Sequence, residues 1–163
     1  MTMMWGQGEL FALATKEEVQ HTKFLLEKYN SMVSQMNDFE RFEKEMSQVA
    51  VDGESARRID SEEYDANKTA NAVILMEKQR WVYQEYSFYT SMLLRAFGLI
   101  TDEEVQRVID LRFFQGLSRN RTIWALSGTG WSPSTIDRRQ EEGITSIANT
   151  LRMYGFFDRE TFF

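Results

Sequence analysis

The sequence predicts an all-α fold, with two long N-terminal helices followed by a C-terminal helix-turn-helix module. Three observations lead to this prediction. Pro133 is the single proline of the 163 residues, so little in the chain forbids helix. Apolar residues recur at steps of three and four, which is the helical period. Short polar residues that accept hydrogen bonds from a first helical turn precede several of these stretches.

The composition excludes several classes of chemistry. The chain is 42% hydrophobic and 27% charged, as in folded globular proteins, and it has no cysteine and one histidine, His21. Disulfides, thiolate metal sites and cysteine nucleophiles are therefore excluded, and we interpret the isolated His21 as a surface residue. Acidic pairs fall in first helical turns, where they offset the helix dipole. We expect no enzymatic activity, no metal and no cofactor.

The N-terminal part of the chain is expected to be a flexible arm, residues 1–14, followed by a long helix. Thr15 and Glu18 have the spacing of a capping box, and the helix is predicted to reach about Val49. Its apolar positions resemble a short heptad seam: Leu25, Tyr29, Met32, Met36, Phe39, Phe42, Met46 and Val49. Two interpretations stay open, namely packing against the next helix and a dimerising coiled coil.

A second long helix is predicted over residues 61–97. Residues 50–60 contain Gly53 and are predicted to form a turn, and Asp60 with Glu63 forms a second capping-box pair. Gly98 is placed to end the helix in a left-handed conformation. Residues 15–98 are thus interpreted as a long-helix region for oligomerisation or for a partner surface. No apolar run is long enough to cross a membrane and no secretory signal is recognisable, so we expect a cytoplasmic protein.

The third region, residues 99–155, is predicted to be the DNA-binding domain, with residues 156–163 as an aromatic tail. Thr101 to Glu104 resembles a capping box for a helix over residues 102–115, which Gly116 stops. Ser118 is predicted to cap a short helix. Ser132 and Pro133 then mark the start of a last helix that passes through Gly143 and ends near residue 154.

The residues around these last two helices are rich in arginine although the chain carries a net charge of −6. At about 100° per residue, with Ile136 turned inward, Ser134 and Arg138 lie on the outermost face and Thr135 with Arg139 on one flank. Arginine can bind guanine through two hydrogen bonds in the major groove. We therefore predict base contacts from Ser134, Thr135 and Arg138.

Phosphate contacts are predicted from the start of the short helix and from Arg139. Free backbone N–H groups and the positive end of a helix dipole favour a phosphate oxygen at such a place. Contacts of this kind set register and affinity rather than sequence preference. The predicted residues are Ser118, Arg119, Asn120, Arg121, Thr122 and Arg139.

About fifty residues, from Thr101 to Leu151, resemble the helix-turn-helix of sigma-factor region 4, and within that class the RinA/ArpU-type late-gene regulators of phages. The resemblance lies in the acidic helix start at 101–104, the LRFFQGLS run at 111–118 and the SPSTI run at 132–136. It implies a sequence-specific transcriptional activator that binds double-stranded DNA and acts with host RNA polymerase in the bacterial cytoplasm. Residues 127–131 make the turn longer than the family pattern.

Three alternatives remain at this point. A small terminase-like DNA-packaging protein also combines a helix-turn-helix with oligomerising helices. A protein-interaction module without DNA binding is compatible with the acidic total charge. The arginine cluster can also be an ordinary solvated face with salt bridges to Glu141 and Glu142.

Overall fold

The structure, a computed structural model, describes residues 13–56 and 62–159, with side chains described for 13–45 and 70–159. Every regular element within these ranges is helical, which confirms the all-α prediction. Three predictions lie outside the described residues: the arm up to residue 12, the side chains of the second capping box, and the last four residues of the tail.

The helices follow one another along the chain with short connections. The α-helices are α1 (Lys16–Ala56), α2 (Glu62–Gly98), α3 (Glu103–Ile109), α4 (Arg119–Ala125) and α5 (Pro133–Met153). A π-helical turn, Asp110–Phe114, continues α3, and 3₁₀ turns occupy Ser127–Thr129 and Phe156–Asp158. Within the described ranges, no helix has an apolar stretch long enough to cross a membrane.

The start of α1 confirms the first predicted capping box. The Thr15 amide donates to Glu18 Oε1 at 2.9 Å, and the Glu18 amide donates to Thr15 Oγ1 at 3.2 Å. Arg152 of α5 forms an ion pair with Glu18. The same carboxylate therefore caps α1 and joins it to α5.

The predicted turn after residue 49 is wrong as far as the structure describes it. Helix α1 continues through Gly53 to Ala56. A glycine inside a helix costs only about 1 kcal/mol relative to alanine. A single glycine is therefore tolerated within a helix of 41 residues.

The predicted left-handed end at Gly98 is also wrong, because the positive backbone angles fall on other glycines. The last turn of α2 instead tightens through three-residue hydrogen bonds. The Leu99 amide donates to Ala96 O at 3.2 Å and the Ile100 amide to Phe97 O at 3.1 Å. These bonds satisfy carbonyls that the helix end leaves free.

Helix α3 begins one residue later than predicted, and Asp102 is its cap. Asp102 Oδ1 accepts from the amides of Glu104 and Val105, at 2.9 and 3.2 Å, so no reciprocal box with Thr101 forms. The predicted helix 102–115 changes to π geometry after Ile109, where the Gln115 amide donates to Asp110 O at 2.8 Å.

Gly116 ends this segment as predicted, with a φ of 71°. Only glycine adopts this region readily. A Cβ at this position would lie 2.7 Å from Asn30 Nδ2, which itself donates to the Phe113 carbonyl at 3.0 Å. Asn30 thus satisfies a carbonyl of the π-helical turn and requires a residue without a side chain beside it.

The described residues group into two compact units. The first combines residues 13–30 with 90–159, and the second comprises residues 31–89. Both long helices are divided between the units, and the domain boundaries proposed from the sequence stay a prediction. The predicted inward residues of α5 are buried, which confirms them: Ile136, Ile144, Ile147 and Leu151 are at most 2% exposed.

In the second unit, α1 packs against α2. The rings of Phe39 and Tyr83 stack with centroids 5.0 Å apart, and the Tyr83 hydroxyl donates to Glu40 Oε1 at 2.6 Å. The hydrogen bond to Glu40 is the main reason that the pKa of Tyr83 is raised. Intramolecular packing is therefore one role of the heptad-like stripe.

Candidate nucleic-acid interface

Helix α4 and the turn that follows it are fixed by local hydrogen bonds. Ser118 Oγ accepts from the Arg121 amide at 3.2 Å, which confirms the predicted cap. In the turn, Thr129 Oγ1 donates to Leu126 O at 2.6 Å and accepts from the Trp131 amide at 3.2 Å. Gly130 then adopts a φ of 78°. The longer turn is therefore held by its own hydrogen bonds, and the chain continues from it into α5.

Helix α5 starts where the sequence predicts. Ser132 Oγ accepts from the Thr135 amide at 3.2 Å, and Pro133 occupies the first helical position. Ile136 anchors this first turn in a buried cluster with Val108 and Leu126. The first turn of α5 is therefore anchored against α3 and the residue that follows α4.

Ser134 and Arg138 lie one turn apart on the solvent side of α5. Both residues are exposed, and the Arg138 side chain retains 68% of its accessible surface. Its guanidinium lies 3.8 Å from Glu142 on the same helix. Exposed pairs at this spacing contribute only about 0.3–0.5 kcal/mol, so Arg138 is free to exchange Glu142 for another acceptor.

Thr135 is half-buried beside this face. Its hydroxyl lies 2.9 Å from that of Ser132, so the two side chains share a hydrogen bond at the start of the helix. The structure thus brings together Ser134, Thr135 and Arg138 on the first two turns of α5.

Arg119 joins α4 to α5 through Asp137. Its Nε and Nη2 atoms donate to the two carboxylate oxygens of Asp137 at 2.9 and 2.8 Å. This hydrogen bonding is the main cause of the lowered pKa of Asp137 and of the raised pKa of Arg119. Both partners remain about half exposed. Arg119 is therefore engaged within the protein.

Arg121 and Asn120 are exposed on the outer side of α4. They line a shallow hollow with Leu117, Ala125 and Trp124, and the Trp124 side chain is 79% exposed. No salt bridge involves Arg121 among the described residues. Trp124 is not among the site residues predicted from the sequence, although a helical wheel with Leu126 inward places Trp124 about 160° away, on the surface.

Thr122 does not belong to this surface. It is 1% exposed, and its hydroxyl donates to the Ser118 carbonyl at 2.9 Å. Thr122 thus satisfies its hydroxyl inside the helix. The predicted phosphate contact of Thr122 is contradicted by this burial.

Arg139 lies between α5, α3 and the turn. Its side chain is 17% exposed, its guanidinium contacts Glu104 at 2.6 Å, and its central carbon lies 4.8 Å from the centre of the Trp131 ring. Cation–π contacts of this kind add to the packing. The structure therefore turns Arg139 toward the protein, and Glu104 and Trp131 are its partners, which the sequence analysis missed.

Comparison with known proteins adds no identification. No protein-family model, curated protein or solved structure matches the chain. Among the residues that the structure describes, no group of three histidine or acidic side chains is placed to hold a metal ion.

Proposed function

We propose that α4, the turn and α5 form a helix-turn-helix that binds double-stranded DNA, and that the protein is a sequence-specific transcriptional regulator. The observation that carries the proposal is the solvent exposure of Ser134 and Arg138 over a buried Ile136. A recognition helix needs its first residues free to enter the major groove while its other face is anchored.

Base reading is assigned to Arg138 with Ser134 and Thr135. An arginine on the outer face of a helix can donate two hydrogen bonds to guanine O6 and N7, and a hydroxyl contacts either a base edge or a phosphate. The weak contact of Arg138 with Glu142 is exchanged for the base, at little cost in free energy.

Phosphate contacts are assigned first to Arg121 and Asn120, with Ser118 at the start of the same helix. These side chains project from α4, which in a helix-turn-helix crosses the DNA backbone. Arg119 and Arg139 have acidic partners within the protein, at 2.8 and 2.6 Å. We therefore assign them to holding α5 in place, which leaves fewer phosphate contacts than the arginine count of the sequence implies.

The proposed regulatory role rests on the resemblance to RinA/ArpU-type regulators. The same resemblance implies a host RNA polymerase as a partner. An acidic chain with few phosphate contacts is expected to bind nonspecific DNA weakly, since counterion release dominates that binding. Such a protein depends on base contacts to select its site. Weak nonspecific binding together with base contacts is expected of a regulator rather than of a protein that coats DNA.

The test is a selection of bound sequences from random duplex DNA at near-physiological salt. We expect one short sequence to be enriched, and Arg138→Ala to lose about 1–3 kcal/mol on it while relaxing the preference at one position. Lys16→Ala is the matched control, because Lys16 is an exposed cation at the start of α1, which lies near the opposite end of α5 from Arg138.

Two outcomes would contradict the proposal. Failure to enrich any sequence removes the DNA-reading function. An equal loss by Arg138→Ala on all sequences assigns Arg138 to phosphate and leaves base reading unexplained. Lys16→Ala should retain both the affinity and the preference.

One observation favours a second candidate, a protein-interaction module. Trp124 is largely exposed beside Arg121, and tryptophan with arginine is enriched among the residues that dominate protein interfaces. The same selection separates the two candidates, because a module that binds only protein enriches no DNA sequence.

A further inference from the structure

The second unit, residues 31–89, has a small core. Among its described side chains, only Met32 and Phe39 are buried, at 4% and 8% exposure. Two helices that pack on each other bury one stripe each, and a stable bundle needs further helices around the same core. Among the residues that the structure describes, the unit therefore leaves apolar side chains such as Phe42, Ile74 and Leu75 exposed.

The same unit has a groove of about 460 Å³ between α1 and α2. Its apolar lining comes from both helices, and Phe42 at its side is 39% exposed. The lining consists of the apolar residues Met36, Phe39, Phe42, Val82, Tyr83 and Tyr86, with the polar residues Gln35, Asp38, Lys78 and Gln79.

The apolar stripe of α2 extends beyond the groove. Residues four apart on a helix lie on the same face. Ile74 and Leu75 precede Lys78 and Gln79 by one turn and are 52% and 57% exposed. The stripe thus covers residues 74–86, about 18 Å at 1.5 Å per residue. A surface of this length fits another helix better than a compact small molecule.

The charges at the groove favour a copy of the same surface. Asp38 lies on the α1 side and Lys78 on the α2 side, so the lining carries one charge of each sign. A twofold dimer contact must be complementary to itself, and opposite charges on the two sides meet this requirement. Asp38 also pairs with Arg41 at 3.3 Å, but both side chains are more than 70% exposed and exchange partners at little cost.

We propose that the groove and stripe, defined by residues 35–42 of α1 and 74–86 of α2, are the surface on which a second copy of this chain docks. Two helix pairs then complete a four-helix bundle around one shared core. The dimer does not depend on DNA binding. If the proposed function holds, each dimer carries two recognition helices, and dimeric helix-turn-helix proteins use such a pair to read paired half-sites.

The experiment is the solution mass of the full chain, measured over a concentration series by sedimentation or light scattering. We expect twice the 19.2 kDa of one chain. Phe42→Glu should weaken the dimer by about tenfold or more, because it places a charge in an apolar interface. Phe24→Glu is the matched control, since Phe24 is a 54% exposed phenylalanine of α1 in the first unit.

A charge-reversal pair provides a second measurement that does not disturb packing. Lys78→Asp should weaken the dimer, and combining it with Asp38→Lys should restore the dimer, because the two charges exchange sides. Circular dichroism verifies that each variant keeps its helix content. A mass of one chain at all concentrations, equal weakening by Phe24→Glu, or no rescue by the double variant would each overturn the proposal.

Discussion

The inner and outer faces of α5 place very different demands on their residues. On the inner face, Ile144, Ile147 and Leu151 are fully buried and Gly143 lies against α3. On the outer face, Ser134 and Arg138 contact solvent. A substitution on the inner face therefore changes the free energy of unfolding, whereas one on the outer face changes what the helix binds.

Two neighbouring arginines mark the boundary between the inner and outer faces of α5. Arg138 keeps 68% of its side-chain surface, whereas Arg139 keeps 17% and pairs with Glu104. A step of one residue turns the side chain by about 100°, which is enough to move it from the outer face to the edge of the core. Residue type alone therefore does not assign a role to an arginine in this helix.

Gly143→Ala is expected to have the largest effect on stability. A Cβ at this position would lie 2.3 Å from Ile109 Cγ1 and 3.1 Å from Val105 Cγ1, and both side chains are buried. Overpacking costs about 1–3 kcal/mol, which exceeds the gain of about 1 kcal/mol in helix propensity. We expect a net loss of up to about 2 kcal/mol, measured by urea unfolding.

Gly98→Ala is the control for this prediction. Gly98 ends α2, nothing lies within 4 Å of a Cβ built there, and its φ is not positive. We expect this change to stabilise the protein by about 0.5–1 kcal/mol. If Gly143→Ala were also stabilising, the close approach of α5 to α3 would not be as described.

The variants Arg139→Ala and Arg121→Ala compare the loss of an arginine at the edge of the core with the loss of one on the surface. Removing Arg139 loses the contact with Trp131 and should destabilise the protein by about 1 kcal/mol. It should weaken DNA binding without changing its salt dependence.

Arg121→Ala should reduce the slope of log affinity against log salt by about one unit, with stability unchanged within about 0.5 kcal/mol.

Titrations of DNA binding at several salt concentrations, with urea unfolding in parallel, measure both effects. A reduced slope for Arg139→Ala would show that Arg139 leaves Glu104 to bind phosphate. An unchanged slope for Arg121→Ala would remove the proposed phosphate contact of α4.

The sequence predicted the features that depend on neighbouring residues. Thr15, Ser118 and Ser132 cap their helices as expected, because a cap needs only a side-chain oxygen and the next amides. Ile136 and Leu151 are buried as expected, because the helical period alone places them on one face. These rules fixed the class of fold and the outer residues of α5.

The features that the sequence did not predict depend on contacts between distant residues. Glu104 meets Arg139 across 35 positions, and no wheel of α5 alone contains that information. Gly53 was expected to lie in a turn, but α1 passes through it, and Gly98 ends α2 without the expected left-handed conformation. A glycine only weakens a helix, and the surrounding structure decides whether the helix breaks. The roles of the arginines in the candidate site could therefore be distinguished only from the packing of α5 against α3 and the turn.

The smallest expected effect concerns Asp137, on the flank of α5. The hydrogen bond from Arg119 lowers the pKa of Asp137 in the folded protein. A lowered folded pKa means that the pair stabilises the protein above the unfolded value, about 3.9, and that this stability is lost as the pH falls through the folded pKa. Because both side chains are about half exposed, the contribution is small.

Asp137→Asn should therefore be slightly less stable than the parent at pH 7. The difference should start to shrink as the pH falls below about 4 and disappear only below the lowered pKa of the folded protein. Urea unfolding of both proteins between pH 7 and pH 3 measures the difference. The same change removes an acid beside the proposed interface and releases Arg119, so DNA binding should tighten although stability decreases. Opposite signs for the two effects place Asp137 on the boundary between the faces of α5. A stability difference that persists at low pH would show that Asp137 acts through something other than its charge.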